Sequence, residues 1–223
     1  DRAFTTAASP HRGPVFVDIP MDVLFSHGDA PQPSGARVTP EVPDADAVAR
    51  LAELLAGAQR PVVVLGGDVW ADGADQVARA VVEELGLPVI ANGMGRGILP
   101  RGHELLVTRA RSAAFADADL VVVVGAPLDF RLGYGVFGGK EGNTPARVVH
   151  VADSPDQLAT HAELAAQVSG DLSLVLRGIA DSYGSWPHRD HGPWAADLLA
   201  RHRAAVAADA ADLTSDADPI HPA

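Results

Sequence analysis

Glycine-rich turns that directly follow apolar segments are the features of this sequence best suited to chemistry. The first is Gly66-Gly67, which follows the apolar segment 61–65. Glycines in such a turn let backbone N–H groups approach a diphosphate at the start of a helix, although a plain tight turn explains them equally well. The second is Asn92-Gly93-Met94, followed by Gly95 and Gly97. It holds more glycines than a turn needs, and flexibility alone would also account for them.

A third turn adds charged side chains. It begins at Gly125, after the apolar segment 120–124, and contains Asp129 and Arg131. At the end of a buried strand, an aspartate can bind ribose hydroxyls and an arginine can bind phosphate. The alternative is that Asp129 and Arg131 pair with each other inside the loop. Together the three turns predict a dinucleotide site, although the G-x-G-x-x-G pattern of NAD-dependent dehydrogenases is absent, which disfavours that class.

Other candidate residues indicate chemistry less strongly. His188 and His191 are three residues apart, but they lie in a Trp-Pro segment without an evident third ligand for zinc. Ser112 and Ser154 lack the sequence context of a nucleophilic serine, and no carboxylate pair stands out as an acid–base dyad. The residues therefore predict binding chemistry and no catalytic apparatus.

The composition limits the classes of partner. The chain has 223 residues, a net charge of −12 and no cysteine. The negative charge disfavours nucleic acid and anionic membranes as partners. Apolar runs such as Val121–Val124 are far too short to cross a bilayer. Disulfides are excluded and no apolar signal segment is visible, which is compatible with a cytoplasmic protein.

Apolar segments alternate with amphipathic ones, and this pattern determines the predicted fold. Strands that are apolar throughout need a parallel sheet covered by helices on both faces. About six strands are predicted, at 14–20, 61–65, 88–90, 120–124, 147–151 and 167–168. Helices are predicted at 44–57, 74–85, 111–117, 156–161, 171–183 and 193–212. The fold class is therefore α/β, a doubly wound parallel sheet over residues 44–183, with ligands expected where the strands end.

Several segments, in order along the chain, resemble those of thiamine-diphosphate-dependent enzymes, and the likeness is greatest to acetolactate synthase-like proteins. The matching segments are Gly13–Asp22, Gln59–Gly67, Leu87–Gly97, Ala118–Gly125 and Asp218–Pro222. The resemblance implies a fragment of a longer enzyme in four parts. These parts are the end of the pyrimidine-binding domain (1–22), a proline-rich linker (23–43), a Rossmann-like central nucleotide-binding domain (44–183), and a linker, helix and start of the diphosphate-binding domain (184–223).

The same resemblance carries individual residues over to a cofactor site. Gly66 and Gly67 match the glycines that cradle a flavin diphosphate, and Asn92-Gly93-Met94 matches the segment that meets the flavin. Gly125, Asp129 and Arg131 match positions of the family's third loop. The sequence departs from the pattern in three places. The family's Gly-Met-His-Gly segment is missing, and Arg109 and Arg111 fall near its place. Pro127 replaces an arginine of that loop. Ala152 and Ser154 replace two aspartates, although Asp153 could partly substitute for them.

The resemblance also implies that the full-length protein is a cytoplasmic homodimer or homotetramer in branched-chain amino acid biosynthesis. It would decarboxylate a small-molecule 2-keto acid and ligate the product to an acceptor. Thiamine diphosphate and Mg²⁺ would bind outside this chain, and FAD or ADP within it, so that the isolated chain is expected to be inactive. One alternative is an enzyme similar to oxalyl-CoA decarboxylase or 2-hydroxyacyl-CoA lyase, with an ADP- or CoA-binding central domain. Another is a purely structural scaffold domain.

Overall fold

Five apolar segments form one parallel sheet, because a strand that is buried along its length needs cover on both faces. The computed structural model describes residues 1–29, 32, 38–139 and 144–213, with the backbone alone for 211–213. Its strands are β1 (Pro61–Leu65), β2 (Val89–Ala91), β3 (Leu120–Val124), β4 (Arg147–Ala152) and β5 (Ala166–Ser169). They lie in the order β2-β1-β3-β4-β5, and every neighbouring pair is parallel. The prediction of a parallel α/β sheet is confirmed.

The sheet has five strands in the part of the chain that the structure describes, so the prediction of about six was wrong. The segment 14–20 is not a strand. Phe16 is 90% exposed and Val17 55% exposed. An apolar run becomes a strand only where a neighbouring strand completes its hydrogen bonds. Here the flanking Pro14 and Pro20 also lack backbone N–H donors.

Eight helices complete the described part of the chain. They are α1 (Arg2–Ala8), α2 (Met21–Leu24), α3 (Ala45–Gly57), α4 (Asp68–Ala71), α5 (Asp75–Leu85), α6 (Arg111–Asp117), α7 (Leu172–Tyr183) and α8 (Gly192–Leu213). Asp44 and Asp171 accept backbone N–H groups at the starts of α3 and α7, and Gly86 ends α5 with φ +64°.

Some predicted elements differ from the structure. The helix predicted at 156–161 is only a 3₁₀ turn, Pro155–Gln157, since proline favours a helical start and the chain becomes extended at Leu158. Three short helices, α1, α2 and α4, were not predicted, and α2 overlaps the start of the segment 23–43 that was predicted to be a linker. Most of the predicted linker's centre, 30–31 and 33–37, and the tail from 214, with the segment Asp218–Pro222, lie outside the described residues.

Helices cover both faces of the sheet, as a doubly wound fold requires. On one face α3, α5 and α7 bury Leu51, Val82 and Leu176 against alternate residues of the strands. On the other face α6 and α8 bury Ala114 and Leu198. Among the described residues, none of the helices combines the length and apolar character needed to cross a membrane.

The strand order places a crevice at one edge of the sheet. From β1 the chain first adds β2 on one side, and then returns to add β3 on the other side of β1. In open parallel sheets, ligands bind outside the carboxyl ends of the strands at the point where the order reverses. That point is the junction between the turns after Leu65 and Val124.

Candidate functional site

The turns that follow β1 and β3 pack directly against each other. The Gly66 N–H donates to the Val124 carbonyl at 2.9 Å, and the Asp68 N–H donates to the Gly125 carbonyl at 3.1 Å. A β-carbon on Gly66 would lie only 2.1 Å from the Gly125 oxygen, which is far inside van der Waals contact. Glycine is therefore required at position 66 by the approach of two backbone segments, and Gly125 itself has φ +62°.

The turn after β2 packs against the same place. The Asn92 N–H donates to the Leu65 carbonyl at 2.9 Å. A β-carbon on Gly95 would lie 2.0 Å from that carbonyl oxygen, and one on Gly67 would lie 3.1 Å from the β-carbon of Met94. The Met94 side chain projects outward and is 79% exposed. Glycines in the first two turns thus serve the packing of one turn against another.

Asp129 and Arg131 form an ion pair within the third turn. Arg131 donates from Nε at 2.9 Å and from Nη2 at 2.6 Å to Asp129 Oδ2, and its backbone N–H donates to Oδ1 at 2.9 Å. The side-chain hydrogen bonds from Arg131 lower the pKa of Asp129. The loop pair considered as the alternative to phosphate binding is therefore present in the structure.

Arg111, at the start of α6, joins the second and third turns. Its guanidinium donates to Asn92 Oδ1 at 3.3 Å and also to the backbone carbonyl of Arg131. It also lies 5.0 Å from the centre of the Phe115 ring, a cation–π contact. Burial lowers the pKa of this guanidinium. Sequence analysis did not predict this connection, because the partners of Arg111 lie in two other loops.

Acidic side chains collect beside the first turn. Asp153 follows β4 and is fully buried, and His11 Nδ1 lies 3.2 Å from both of its carboxylate oxygens. Asp68 opens α4, and His11 Nδ1 is 3.8 Å from its Oδ2. Burial raises the pKa of Asp68, with His11 opposing the shift and Asp153 adding to it. Asp72 at the end of α4 is paired with Arg12.

His150 is a buried polar residue in β4 that sequence analysis missed. Its Nε2–H donates to the Ala126 carbonyl at 2.9 Å, and its Nδ1 accepts the Ala159 N–H at 3.0 Å. Burial lowers the pKa of His150. The ring therefore ties the turn after β3 to the loop after β4. In a strand of apolar residues, one histidine has no sequence signal that distinguishes this role.

The structure places all nine predicted site residues on the carboxyl edge of the sheet. Packing brings the members of the first two turns and Gly125 together, and Arg111 connects them to Asp129 and Arg131. Asp153 is joined to Asp68 through His11. Sequence analysis did not identify five charged residues of this edge as site residues, namely His11, Arg12, Asp68, Asp72 and Arg111.

This edge fits a dinucleotide diphosphate poorly. A diphosphate needs free backbone N–H groups and unpaired cations. Here the space over Gly66 and Gly95 is taken by backbone carbonyls, and the Arg131 guanidinium is bound to Asp129. The carboxylates of Asp68 and Asp153 add negative charge beside the first turn.

The histidines considered for zinc are occupied elsewhere. His191 is buried, with Nε2 3.0 Å from the Tyr183 hydroxyl, and His188 Nδ1 lies 3.3 Å from the Trp186 carbonyl. Their rings are therefore engaged with separate partners around the end of α7. This arrangement gives no support to a zinc site on that pair.

Comparisons with known proteins identify the family. The family model "Thiamine pyrophosphate enzyme, central domain" matches residues 48–179. Acetolactate synthase large subunit IlvG of Mycobacterium tuberculosis is 39% identical over 226 residues, covering 100% of this chain and 40% of that protein. Human 2-hydroxyacyl-CoA lyase 2 is 35% identical over 172 residues, covering 60% of this chain and 27% of that protein.

A solved structure shows the same fold. It is the X-ray structure of a Mycobacterium smegmatis protein assigned as a thiamin diphosphate-dependent enzyme, with a TM-score of 0.62 and 30% identity. The match covers 81% of this chain and 36% of the chain in the solved structure. The chain thus spans well under half the length of these relatives. The family-model match covers more than half of the chain, and it shows that the chain belongs to the thiamine pyrophosphate enzyme family, with residues 48–179 corresponding to the central domain.

Proposed function

We propose that this chain serves as the central domain of an acetolactate synthase-like enzyme, which decarboxylates a 2-keto acid and joins the product to an acceptor. The observation that carries the proposal is the similarity to acetolactate synthase large subunit IlvG, which extends over 100% of the chain at 39% identity. It includes residues on both sides of the segment 48–179 that matches the family model. This extent supports the division into 1–22, 23–43, 44–183 and 184–223.

The reaction would need parts that the chain does not include. Thiamine diphosphate, with Mg²⁺, supplies the carbanion stabilisation on which decarboxylation and ligation of 2-keto acids depend. The chain spans about 40% of the relative's length, so we assign the groups that hold this cofactor to the remainder. The proposed full-length enzyme is a homodimer or homotetramer, and the chain alone is inactive.

We infer that the chain's own contribution is a rigid connection between catalytic domains. The carboxyl edge supports this role, because the three turns are bound to one another through Gly66, Gly125, Asn92 and Arg111. Because these turns are held by contacts with one another, they keep their positions without a ligand. FAD and ADP are the competing proposal, and the poor fit of this edge to a diphosphate disfavours them.

Enzyme assays on the full-length polypeptide test the proposal. We expect thiamine-diphosphate- and Mg²⁺-dependent conversion of pyruvate, and an absorption spectrum with neither flavin bands nor excess absorbance at 260 nm. The 223-residue chain measured in parallel should give no turnover. A folded full-length enzyme that leaves pyruvate and related 2-keto acids unchanged would overturn the assigned activity. Flavin bands, or a 260 nm excess that chromatography resolves as ADP or CoA, would overturn the rigid-connector role.

A second candidate function is that of an enzyme similar to 2-hydroxyacyl-CoA lyase or oxalyl-CoA decarboxylase. The similarity to human 2-hydroxyacyl-CoA lyase 2 favours a CoA thioester as substrate. The replacement of a loop arginine by Pro127 supports the same alternative, because it removes one phosphate contact expected of a flavin site. Turnover of a 2-hydroxyacyl-CoA or of oxalyl-CoA, with none of pyruvate, would select this candidate.

A further inference from the structure

Three potential metal ligands from distant parts of the chain meet beside the first turn. His11 comes from the segment after α1, Asp68 from the start of α4 and Asp153 from the end of β4. One ligand atom from each lies within 4.8 Å of the others. The Asp153 side chain is 1% exposed, whereas those of Asp68 and His11 are 22% and 37% exposed. The cluster is thus buried on one side and reachable by water on the other.

The distances are compatible with coordination of one cation as well as with an ion pair. Bonds of about 2.1 Å to a common cation place neighbouring ligand atoms roughly 3.0–3.4 Å apart in tetrahedral or octahedral geometry. His11 Nδ1 is 3.2 Å from Asp153 Oδ2 and 3.8 Å from Asp68 Oδ2. A small inward movement of the partly exposed Asp68 side chain would bring all three atoms to one cation.

The charge of the cluster also calls for a cation. Two carboxylates face one imidazole, which carries at most a single positive charge. His11 Nδ1–H can be directed at only one carboxylate, and Asp153 is the nearer. Among the described residues, no hydrogen bond is made to the Asp68 carboxylate, and Arg12 is held by Asp72 instead. A divalent cation would neutralise both acids and leave His11 as a neutral ligand.

We propose that His11, Asp68 and Asp153 bind one divalent transition-metal cation at the carboxyl edge of the sheet. Imidazole is a ligand for Zn²⁺, Fe²⁺ and Ni²⁺, whereas Mg²⁺ and Ca²⁺ prefer all-oxygen sites. A set of one imidazole and two carboxylates therefore favours Mn²⁺, Co²⁺ or Zn²⁺ over Mg²⁺. Water would complete the coordination from the exposed side. The site is separate from the proposed enzymatic function, so that either proposal can fail alone.

The experiment uses the 223-residue chain and Mn²⁺, whose free aqueous ion is quantified by electron paramagnetic resonance. We expect one bound Mn²⁺ per chain, displaced by Zn²⁺ at equal concentration and retained in millimolar Mg²⁺. Because His11 lies in a terminal segment outside the packed core, His11→Gln is expected to preserve the fold, which circular dichroism verifies. It should weaken Mn²⁺ binding at least tenfold, on the order of the losses seen when metal sites lose supporting residues.

Matched controls separate the site from the rest of the surface. His27→Gln removes an exposed histidine, and Asp156→Asn removes an exposed carboxylate close to Asp153 in sequence. Both should leave the affinity for Mn²⁺ within twofold of the original chain, and Asp68→Asn should weaken it as His11→Gln does. Absence of a bound Mn²⁺, or equal affinity in His11→Gln and the original chain, would overturn the proposal. A loss that His27→Gln or Asp156→Asn reproduces would assign the binding to the surface and overturn it as well.

Discussion

The carbonyl oxygen of Gly125 occupies the place where a β-carbon of residue 66 would lie, 2.1 Å from its ideal position. We expect Gly66→Ala to force the turns after β1 and β3 apart. Overpacking of this kind costs about 1–3 kcal/mol, which corresponds to a fall in Tm of roughly 2–12 °C for a chain of this size. Thermal unfolding monitored by circular dichroism measures the change.

Gly57→Ala is the matched control for this substitution. Gly57 is the last residue of α3, and a β-carbon there would meet nothing within 4 Å. Alanine favours helical backbone, so we expect an unchanged or slightly higher Tm. Equal Tm values for Gly66→Ala and Gly57→Ala would contradict the close approach of the two turns.

His150 should make the stability of the chain depend on pH. Its Nδ1 accepts a backbone N–H, so protonation of that nitrogen would place two hydrogens against each other. Because burial lowers the pKa of His150 from 6.5, the unfolded chain binds the proton more readily. Stability is therefore full above about pH 6.5 and falls below it, by at most about 1.4 kcal/mol per pH unit from this one residue.

Urea unfolding at several pH values between 5 and 8 measures this effect. His150→Gln should reduce the loss of stability on acidification, whatever its effect at pH 8. The exposed His27 offers a comparison, and His27→Gln should keep the pH dependence of the original chain. If His150→Gln and the original chain lose stability in parallel below pH 6.5, buried His150 is not the source of the pH dependence.

Asp119 should contribute more to stability than a typical surface acid. Its carboxylate accepts the backbone N–H groups of Gln59 at 2.7 Å and Arg60 at 2.8 Å, which hold the entry to β1 beside β3. Hydrogen bonds to a charged acceptor contribute about 1.5–3 kcal/mol, so Asp119→Ala should lower the free energy of unfolding by roughly that amount. Denaturant titration tests this, with the exposed Asp181→Ala as a control expected to change little.

Asp129 and Arg131 should prove dispensable for folding. The pair is close but exposed, and exposed ion pairs contribute little. We expect Asp129→Ala and Arg131→Ala to leave Tm within about 2 °C of the original value and calorimetric titrations of FAD and ADP unaltered. A loss of nucleotide affinity of roughly 10- to 100-fold in Arg131→Ala alone would instead give this guanidinium a phosphate-binding role.

The parts of the fold that the sequence predicted are those with local signals. The four central segments from 61 to 151 are strongly apolar, and they form β1 to β4 close to the predicted limits. The glycine turns were predicted to converge for the same reason, because parallel strands end on one edge. Their packing against one another, as between Gly66 and Gly125, depends on distances that no sequence pattern encodes.

The parts that could not be predicted depend on contacts between remote residues. His11 and Asp153 are 142 positions apart, and nothing in the residues around His11 indicates that it meets a strand end. For the segment 14–20, by contrast, the sequence predicted a strand that does not form. Its residues have a strand-like composition, but whether a strand forms depends on a neighbour that composition does not reveal.

The pairing of β1 with β3 has a consequence for how the chain acquires its structure during synthesis. β1 is an interior strand, flanked by β2 and β3, and its five-residue register with β3 starts at the pairing of Pro61 with Leu120. Contacts between segments far apart in sequence form slowly, because the loop between them must first be closed. Until the ribosome has released the chain beyond Val124, β1 keeps one hydrogen-bonding edge open. The nascent chain is then most exposed to misassociation and to chaperone capture.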